Sequence, residues 1–113
     1  MDDVRGTDRV IGKTIRFTWT DGPTKSESHE HVFHADGSVE YARLEDGKAN
    51  GKYAKEKKYA AARVTDDVYL VSYLAASGFT LTVALNFAQR TLTGFASNDK
   101  QWFPCSGTFE VVR

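Results

Sequence analysis

Hydrophobic and polar residues alternate with a period of two along most of the chain, as they do in β-strands whose two faces meet different surroundings. In the first such stretch Ile15, Phe17 and Trp19 fall on one side. Asp-Gly, Ser-Gly and Asn-Asp pairs end these stretches, and no convincing amphipathic helix interrupts them. The alternation predicts strands at residues 13–20, 27–35, 38–44, 68–75, 79–87, 90–97 and 105–112.

Residues 48–63 fit two interpretations. The part from Lys52 to Ala61 is rich in helix formers and is compatible with a helix of one or two turns. Its apolar residues form no stripe at helical spacing, whereas Tyr59, Ala61 and Arg63 alternate, so we predict a strand. With about eight strands, the chain is predicted to be all-β, an antiparallel up-and-down barrel. Residues 1–11 are charged and unpatterned and are predicted to be a frayed N-terminus, leaving residues 12–113 as a single domain.

The composition limits which partners and which cellular location we expect for the protein. Fifteen basic and fifteen acidic residues give a formal net charge of zero, so the field that draws proteins to phosphate backbones or anionic lipid is missing. The longest apolar runs fall far short of the ~20 residues that a membrane span needs. We therefore expect neither nucleic acid nor membrane as a partner. The single cysteine, Cys105, and an N-terminus without an apolar secretory region favour a cytoplasmic location.

Two long runs resemble a known group of proteins. Residues 12–22 read GKTIRFTWTDG, and residues 68–95 contain VYLVSY, SG, LNF and TGF. Both resemble the calycin group, which holds the MoaF proteins and the phenolic acid decarboxylases. The segments HVFH at residues 31–34 and GTFEV at residues 107–111 are similar to MoaF in particular. The resemblance covers the chain from about residue 11 onward and implies a lipocalin-like barrel. It links the chain to molybdenum cofactor metabolism by family association only.

The resemblance also implies which positions would carry decarboxylase chemistry. Those enzymes work without a metal, through two tyrosines, an arginine and a glutamate. The matching positions here are Phe17, Trp19, Lys52 and Ala75. Without the phenolic hydroxyls and the carboxyl group, that mechanism has neither acid nor base, so we do not expect it. Lys52 either pairs with a carboxylate on a ligand or is a solvated loop lysine, and its Lys-rich surroundings favour the second.

The relatives' tyrosine positions face the cavity, which sets the inner face of the sheet. Period two then turns an aromatic and aliphatic set of side chains inward. Either this set fills the barrel, or it lines a cavity for one small ligand, and we favour the cavity. The predicted ligand-binding residues are Phe17, Trp19, Phe33, Tyr69, Tyr73, Phe79, Leu81 and Lys52.

The sharpest chemical feature is the pair His29 and His31, whose spacing puts both side chains on one face of a strand. A metal site would need a third and a fourth ligand, and no histidine follows His34. We therefore expect no metal and no cofactor. In the simplest interpretation one histidine is a hydrogen-bonded barrel residue and the other lies at the solvated mouth. In the other, they anchor a ligand or move a proton.

These features leave three candidate functions. The sequence favours a barrel that binds a small hydrophobic or aromatic metabolite. The alternative is a metal-independent lyase, isomerase or cyclase in which His29 or His31 moves a proton and Tyr69 or Tyr73 steadies an oxyanion. The third is a dimerising interaction module with a packed barrel. Residues 102–104, an aromatic cluster predicted to lie between strands, either cap one barrel end or form a homodimer contact.

Overall fold

A computed structural model describes residues 9–49, 51 and 53–113. These residues form ten antiparallel strands and contain no helix, so none that is long and apolar enough to span a membrane. The strands are β1 (Thr14–Asp21), β2 (Ser28–Phe33), β3 (Val39–Glu45), β4 (Lys48–Ala49), β5 (Ala54–Glu56), β6 (Tyr59–Arg63), β7 (Val68–Leu74), β8 (Thr80–Asn86), β9 (Thr91–Ser97) and β10 (Trp102–Val111).

The predicted all-β, antiparallel class is confirmed, with two local differences. Instead of one strand, residues 48–63 form three short ones, because β4 and β5 both turn back to pair with β3 before β6 begins. β10 begins at Trp102, not at Cys105, because Trp102, Phe103 and Pro104 pair with β9. The prediction that residues 102–104 lie between strands was therefore wrong.

The sheet has the order β4-β3-β2-β1-β10-β9-β8-β7-β6, with β5 also on β3, and its ladder does not close. Its two ends meet at a seam where the Tyr59 amide donates to the Gly37 carbonyl at 2.9 Å. The Tyr59 hydroxyl donates to the His34 carbonyl at 3.1 Å, and the Tyr59 ring contacts that of Phe33 with centroids 5.1 Å apart. The result is a barrel-like sheet whose last join is made mostly by side chains.

Two glycines allow neighbouring strands to approach unusually closely. A Cβ at Gly94 would lie 1.9 Å from the Thr82 carbonyl oxygen, and one at Gly107 would lie 2.1 Å from that of Thr18. Such positions are typical of tight bends in barrels, where only glycine fits. Gly107 is in register with Trp19, so this approach also fixes the backbone that carries Trp19.

Side chains fill one half of the interior, which we call the packed half. Val10, within the segment predicted to be frayed, is fully buried there, whereas residues 1–8 lie outside the described part of the chain. The rings of Tyr69 and Phe87 meet edge to face at 5.4 Å, and those of Phe87 and Phe109 at 5.0 Å. The larger side chains of the packed half are Ile15, Phe17, Phe33, Tyr59, Tyr69, Leu85, Phe87, Leu92 and Phe109.

Candidate ligand-binding cavity

The other half of the interior, which we call the open half, contains a cavity of about 270 Å³. This is near the lower end of the range for small-molecule pockets, so the space suits one small molecule. Most of the side chains around it are aromatic or aliphatic. The lining consists of Trp19, Pro23, Thr24, His29, His31, Tyr41, Tyr73, Phe79, Leu81, Ala96, Phe103 and Cys105.

Both interior arrangements considered for the sequence, filling and cavity, therefore occur in one barrel. The predicted ligand-binding residues that line the cavity are Trp19, Tyr73, Phe79 and Leu81, and both predicted catalytic histidines line it as well.

Three other predicted ligand contacts, Phe17, Phe33 and Tyr69, lie in the packed half and outside the lining. Their inward orientation agrees with the alternation, since none of the three is more than 3% exposed. Period two fixes the face of a strand but not the depth along the barrel, and for this reason their predicted ligand contact is not supported. Lys52 lies outside the described residues.

Trp19 fixes the proton position on His29. The Trp19 indole Nε1 donates to His29 Nδ1 at 3.0 Å. Because an indole N–H can only donate, Nδ1 must be bare and the neutral ring carries its proton on Nε2. His29 Nε2 lies 3.5 Å from a Glu27 carboxylate oxygen. Burial lowers the pKa of His29, with Glu27 opposing that shift and Arg43 adding to it, so the ring is neutral at pH 7.

His31 forms the boundary between the two halves. Its ring stacks on Phe17 with centroids 4.3 Å apart, and its Nε2 lies 2.9 Å from the Tyr73 hydroxyl oxygen. Burial, and to a smaller extent His29, lowers the pKa of His31 to about 3. The imidazole is therefore neutral across the physiological range, and its buried Nδ1 has no partner among the described residues.

The structure adds Tyr41 and Glu56, which the sequence analysis did not select. Tyr41 lies opposite His31 in the β2–β3 register, and its hydroxyl donates to Glu56 Oε2 at 2.7 Å. Burial and this carboxylate raise the pKa of Tyr41 to about 12. The same Glu56 oxygen accepts the Ala76 amide at 3.0 Å. A carboxylate thus reaches the end of β7 from β5, next to Ala75, where the resemblance placed the relatives' glutamate.

Tyr41 was missed because the register of the hairpin depends on the length of its loop. A two-residue turn at Asp36-Gly37 would place Ala42 opposite His31, whereas the structure has a three-residue loop, residues 35–37, and pairs His31 with Tyr41. Glu56 gave no alternation signal, since its strand has only three residues.

Phe103 and Cys105 also line the cavity, and Phe103 was missed because β10 begins at Trp102 and not at Cys105. Burial raises the pKa of the Cys105 thiol, with Asp21 adding to the shift, so the sulfur stays protonated at neutral pH.

The two histidines do not converge on a common ligand position with other metal-binding groups. Trp19 holds one ring, and the other faces Tyr73. Within the described ranges no three His, Cys, Asp or Glu side chains gather closely enough to hold a metal ion.

Fold and site together define a small lipocalin-like β-barrel with a cavity at one end. The model of the phenolic acid decarboxylase family matches residues 7–105, and the chain belongs to this family. Among solved structures, it is similar to a putative β-lactamase from Burkholderia vietnamiensis, with a TM-score of 0.71 and 20% sequence identity over 90% of this chain and 94% of that one. At that identity the likeness shows the fold alone. No curated protein matches the chain.

Proposed function

We propose that the protein binds one small, mainly hydrophobic molecule containing a planar ring. The observation that carries this proposal is the cavity of about 270 Å³ in a barrel whose other half is filled by side chains. Apolar wall exposed to water costs about 25 cal/mol for each Å² relative to burial. A ligand that covers the wall recovers this free energy, and the rings of Trp19, Phe79 and Phe103 give a planar molecule surfaces on which to stack.

Trp19 supplies an internal probe for a direct test. Trp102, the other tryptophan, is 66% exposed on the outer face, so a Trp102→Phe variant leaves Trp19 as the only fluorescent indole. Titration with small aromatic amides, aldehydes and acids is expected to quench Trp19 fluorescence saturably. Ala96→Phe should abolish the quenching by filling the cavity, whereas Ala84→Phe is the matched control because Ala84 does not line it. Unsaturable quenching, or equal quenching in both variants, would contradict the proposal.

A second candidate, a metal-independent lyase, isomerase or cyclase, has support from the family to which the chain belongs. Two observations, one for each histidine, weigh against the predicted acid–base role of His29 and His31. His31 has a pKa of about 3 and is a weak base, and the Nδ1 of His29 already accepts from Trp19. Tyr69 lies outside the lining, which leaves Tyr73 as the candidate oxyanion donor. Turnover of candidate substrates by wild type, His29→Ala and His31→Ala tests this role, and equal rates would remove both histidines from it.

Two finer parts of the sequence analysis remain proposals. A MoaF-like role in molybdenum cofactor metabolism has support only from the two short segments at residues 31–34 and 107–111. A homodimer has support from the exposed apolar side chains on the outer face of β7, β9 and β10, namely Leu70, Leu74, Phe95 and Trp102. Sedimentation of wild type and Trp102→Ser tests the dimer.

A further inference from the structure

The described residues that line the cavity carry no fixed charge. Among its lining residues, all drawn from the described part of the chain, there is no aspartate, glutamate, lysine or arginine. Both histidines are neutral at pH 7 because burial lowers the pKa of each. A ligand with a full charge would therefore lose hydration on entry without gaining an opposite charge from these residues.

The charges just behind the wall are mainly negative. Glu56 contacts the hydroxyl of Tyr41 at 2.7 Å, and Glu27 lies 3.5 Å from His29 Nε2. Arg43 approaches Glu27 at 3.9 Å and is half exposed, so its charge is shared with that carboxylate and with water. This arrangement adds a repulsive contribution for an anion in the cavity.

The pairing of Tyr73 with His31 decides whether the Tyr73 hydroxyl can donate into the cavity. Tyr73 and His31 can pair in two ways, and the choice determines where the hydroxyl proton points. If the Tyr73 hydroxyl donates to Nε2, then Nδ1 carries a proton and becomes a buried donor with no described partner. If Nε2–H donates to the Tyr73 oxygen, then Nδ1 is an unpaired acceptor. We take this arrangement by analogy with the backbone, where a buried N–H without a partner is rarer than a buried acceptor without its full set. The second arrangement leaves the Tyr73 O–H free to donate to a ligand.

We infer that the cavity selects an uncharged ligand whose carbonyl oxygen accepts a hydrogen bond from the Tyr73 hydroxyl, and that it discriminates against the corresponding carboxylate. This inference rests on the proposed binding function and specifies its ligand class. Planar amides and aldehydes have the required chemistry, because they combine an apolar ring with a strong neutral acceptor.

Matched probe pairs separate charge from shape. Benzamide and benzoate, cinnamamide and cinnamate, and 2-naphthamide and 2-naphthoate differ within each pair mainly in charge at pH 7.5. Each is titrated into the Trp102→Phe protein and followed by Trp19 fluorescence, with Ala96→Phe as the blocked control. The amide of at least one pair is expected to bind at least about tenfold more tightly than its acid, since the acid must bury an unpaired charge.

Tyr73→Phe removes the donor and keeps the ring. We expect it to weaken amide binding about three- to tenfold, the usual range for one hydrogen bond. Tyr69→Phe is the matched control, because it deletes a hydroxyl from a buried tyrosine of the same strand outside the lining, and it should leave amide affinity unchanged.

The possible results distinguish a failure of the inferred ligand class from a failure of the proposed binding function. If a carboxylate binds as tightly as its amide or more tightly, and Ala96→Phe blocks it, the inference is overturned and the proposed binding function stands. If no probe binds in any pair, both are overturned. If Tyr73→Phe binds amides as wild type does, the hydroxyl is not the donor and the inference fails.

Discussion

The packed and open halves of the barrel are built from the same strands, and inward side chains only two or four residues apart on one strand belong to different halves. On β1, Phe17 is buried among side chains and Trp19 lines the cavity. On β7, Tyr69 packs against Phe87, whereas Tyr73 borders the cavity. The buried rings of the packed half stabilise the fold. The open half can therefore contain an unfilled apolar cavity.

The polar groups are also divided between the halves. Among the described residues, two pairs of inward polar groups meet at the boundary and in the open half: Trp19 with His29, and His31 with Tyr73. These pairs satisfy Trp19 Nε1, His29 Nδ1 and His31 Nε2 without a charged partner, whereas His31 Nδ1 has no partner among the described residues. The two halves show that one small barrel can contain both a packed hydrophobic core and an apolar cavity, with His31 at the boundary between them.

The largest expected difference between the halves is in stability. Phe17→Ala should lower the free energy of unfolding by about 3–5 kcal/mol, because it leaves a void among fully buried rings. Phe79→Ala should cost only about 1 kcal/mol, since Phe79 is partly exposed beside an existing space. Urea denaturation of both variants measures the two losses. Equal losses would mean that the halves are not energetically distinct.

The next effect is a pH dependence that originates at the boundary. The pKa of His31 is about 3 in the folded protein and 6.5 as a free group, so between these values the unfolded chain binds more protons. The free energy of unfolding must then fall as the pH falls, by about 2 kcal/mol between pH 6.5 and pH 5 from His31 alone. Urea denaturation at a series of pH values measures this slope.

His31→Phe should remove most of that slope, whatever its effect on stability at pH 7. His34→Asn is the control, because His34 lies on the protein surface beside Glu40 and not in the interior. A slope that survives in His31→Phe would show that His31 is not the buried neutral group described above.

The smallest expected effect concerns Trp19 and His29 in the open half. Protonation of His29 places a proton on Nδ1 and breaks the bond from the Trp19 indole, which is worth about 1 kcal/mol. Because the pKa of His29 is lowered, Trp19 emission in a Trp102→Phe protein should change only below pH 6.5. His29→Gln should abolish the change, with circular dichroism confirming that the fold persists. A transition that remains in His29→Gln would refute this pairing.

Much of the fold could be predicted because alternation and turn residues are local signals. The strands flanking Asp36-Gly37 and Ser77-Gly78 were predicted to within one or two residues of β2, β3, β7 and β8. The division of residues 48–63 into three strands could not be predicted, since β4 and β5 are defined by pairing with β3 and not by their own pattern.

The site was predicted by face and not by depth. The alternation correctly turned Trp19, Tyr73 and Leu81 inward, but it could not separate them from Phe17 and Tyr69, which share the face and lie deeper. Which residues border an empty space depends on how strands tilt and how large their neighbours are, and both are tertiary properties. The contact between Glu56 and Tyr41 likewise depends on the pairing of β5 with β3, which the local pattern did not predict.

The most direct test of the division into two halves is methyl NMR during titration with cinnamamide. If the open half holds the ligand, the methyl signals of Leu81 and Ala96 should shift saturably while those of Leu85 and Leu92 stay in place. Shifts confined to Leu70 and Leu74 on the outer face, or equal shifts throughout the packed half, would contradict the account.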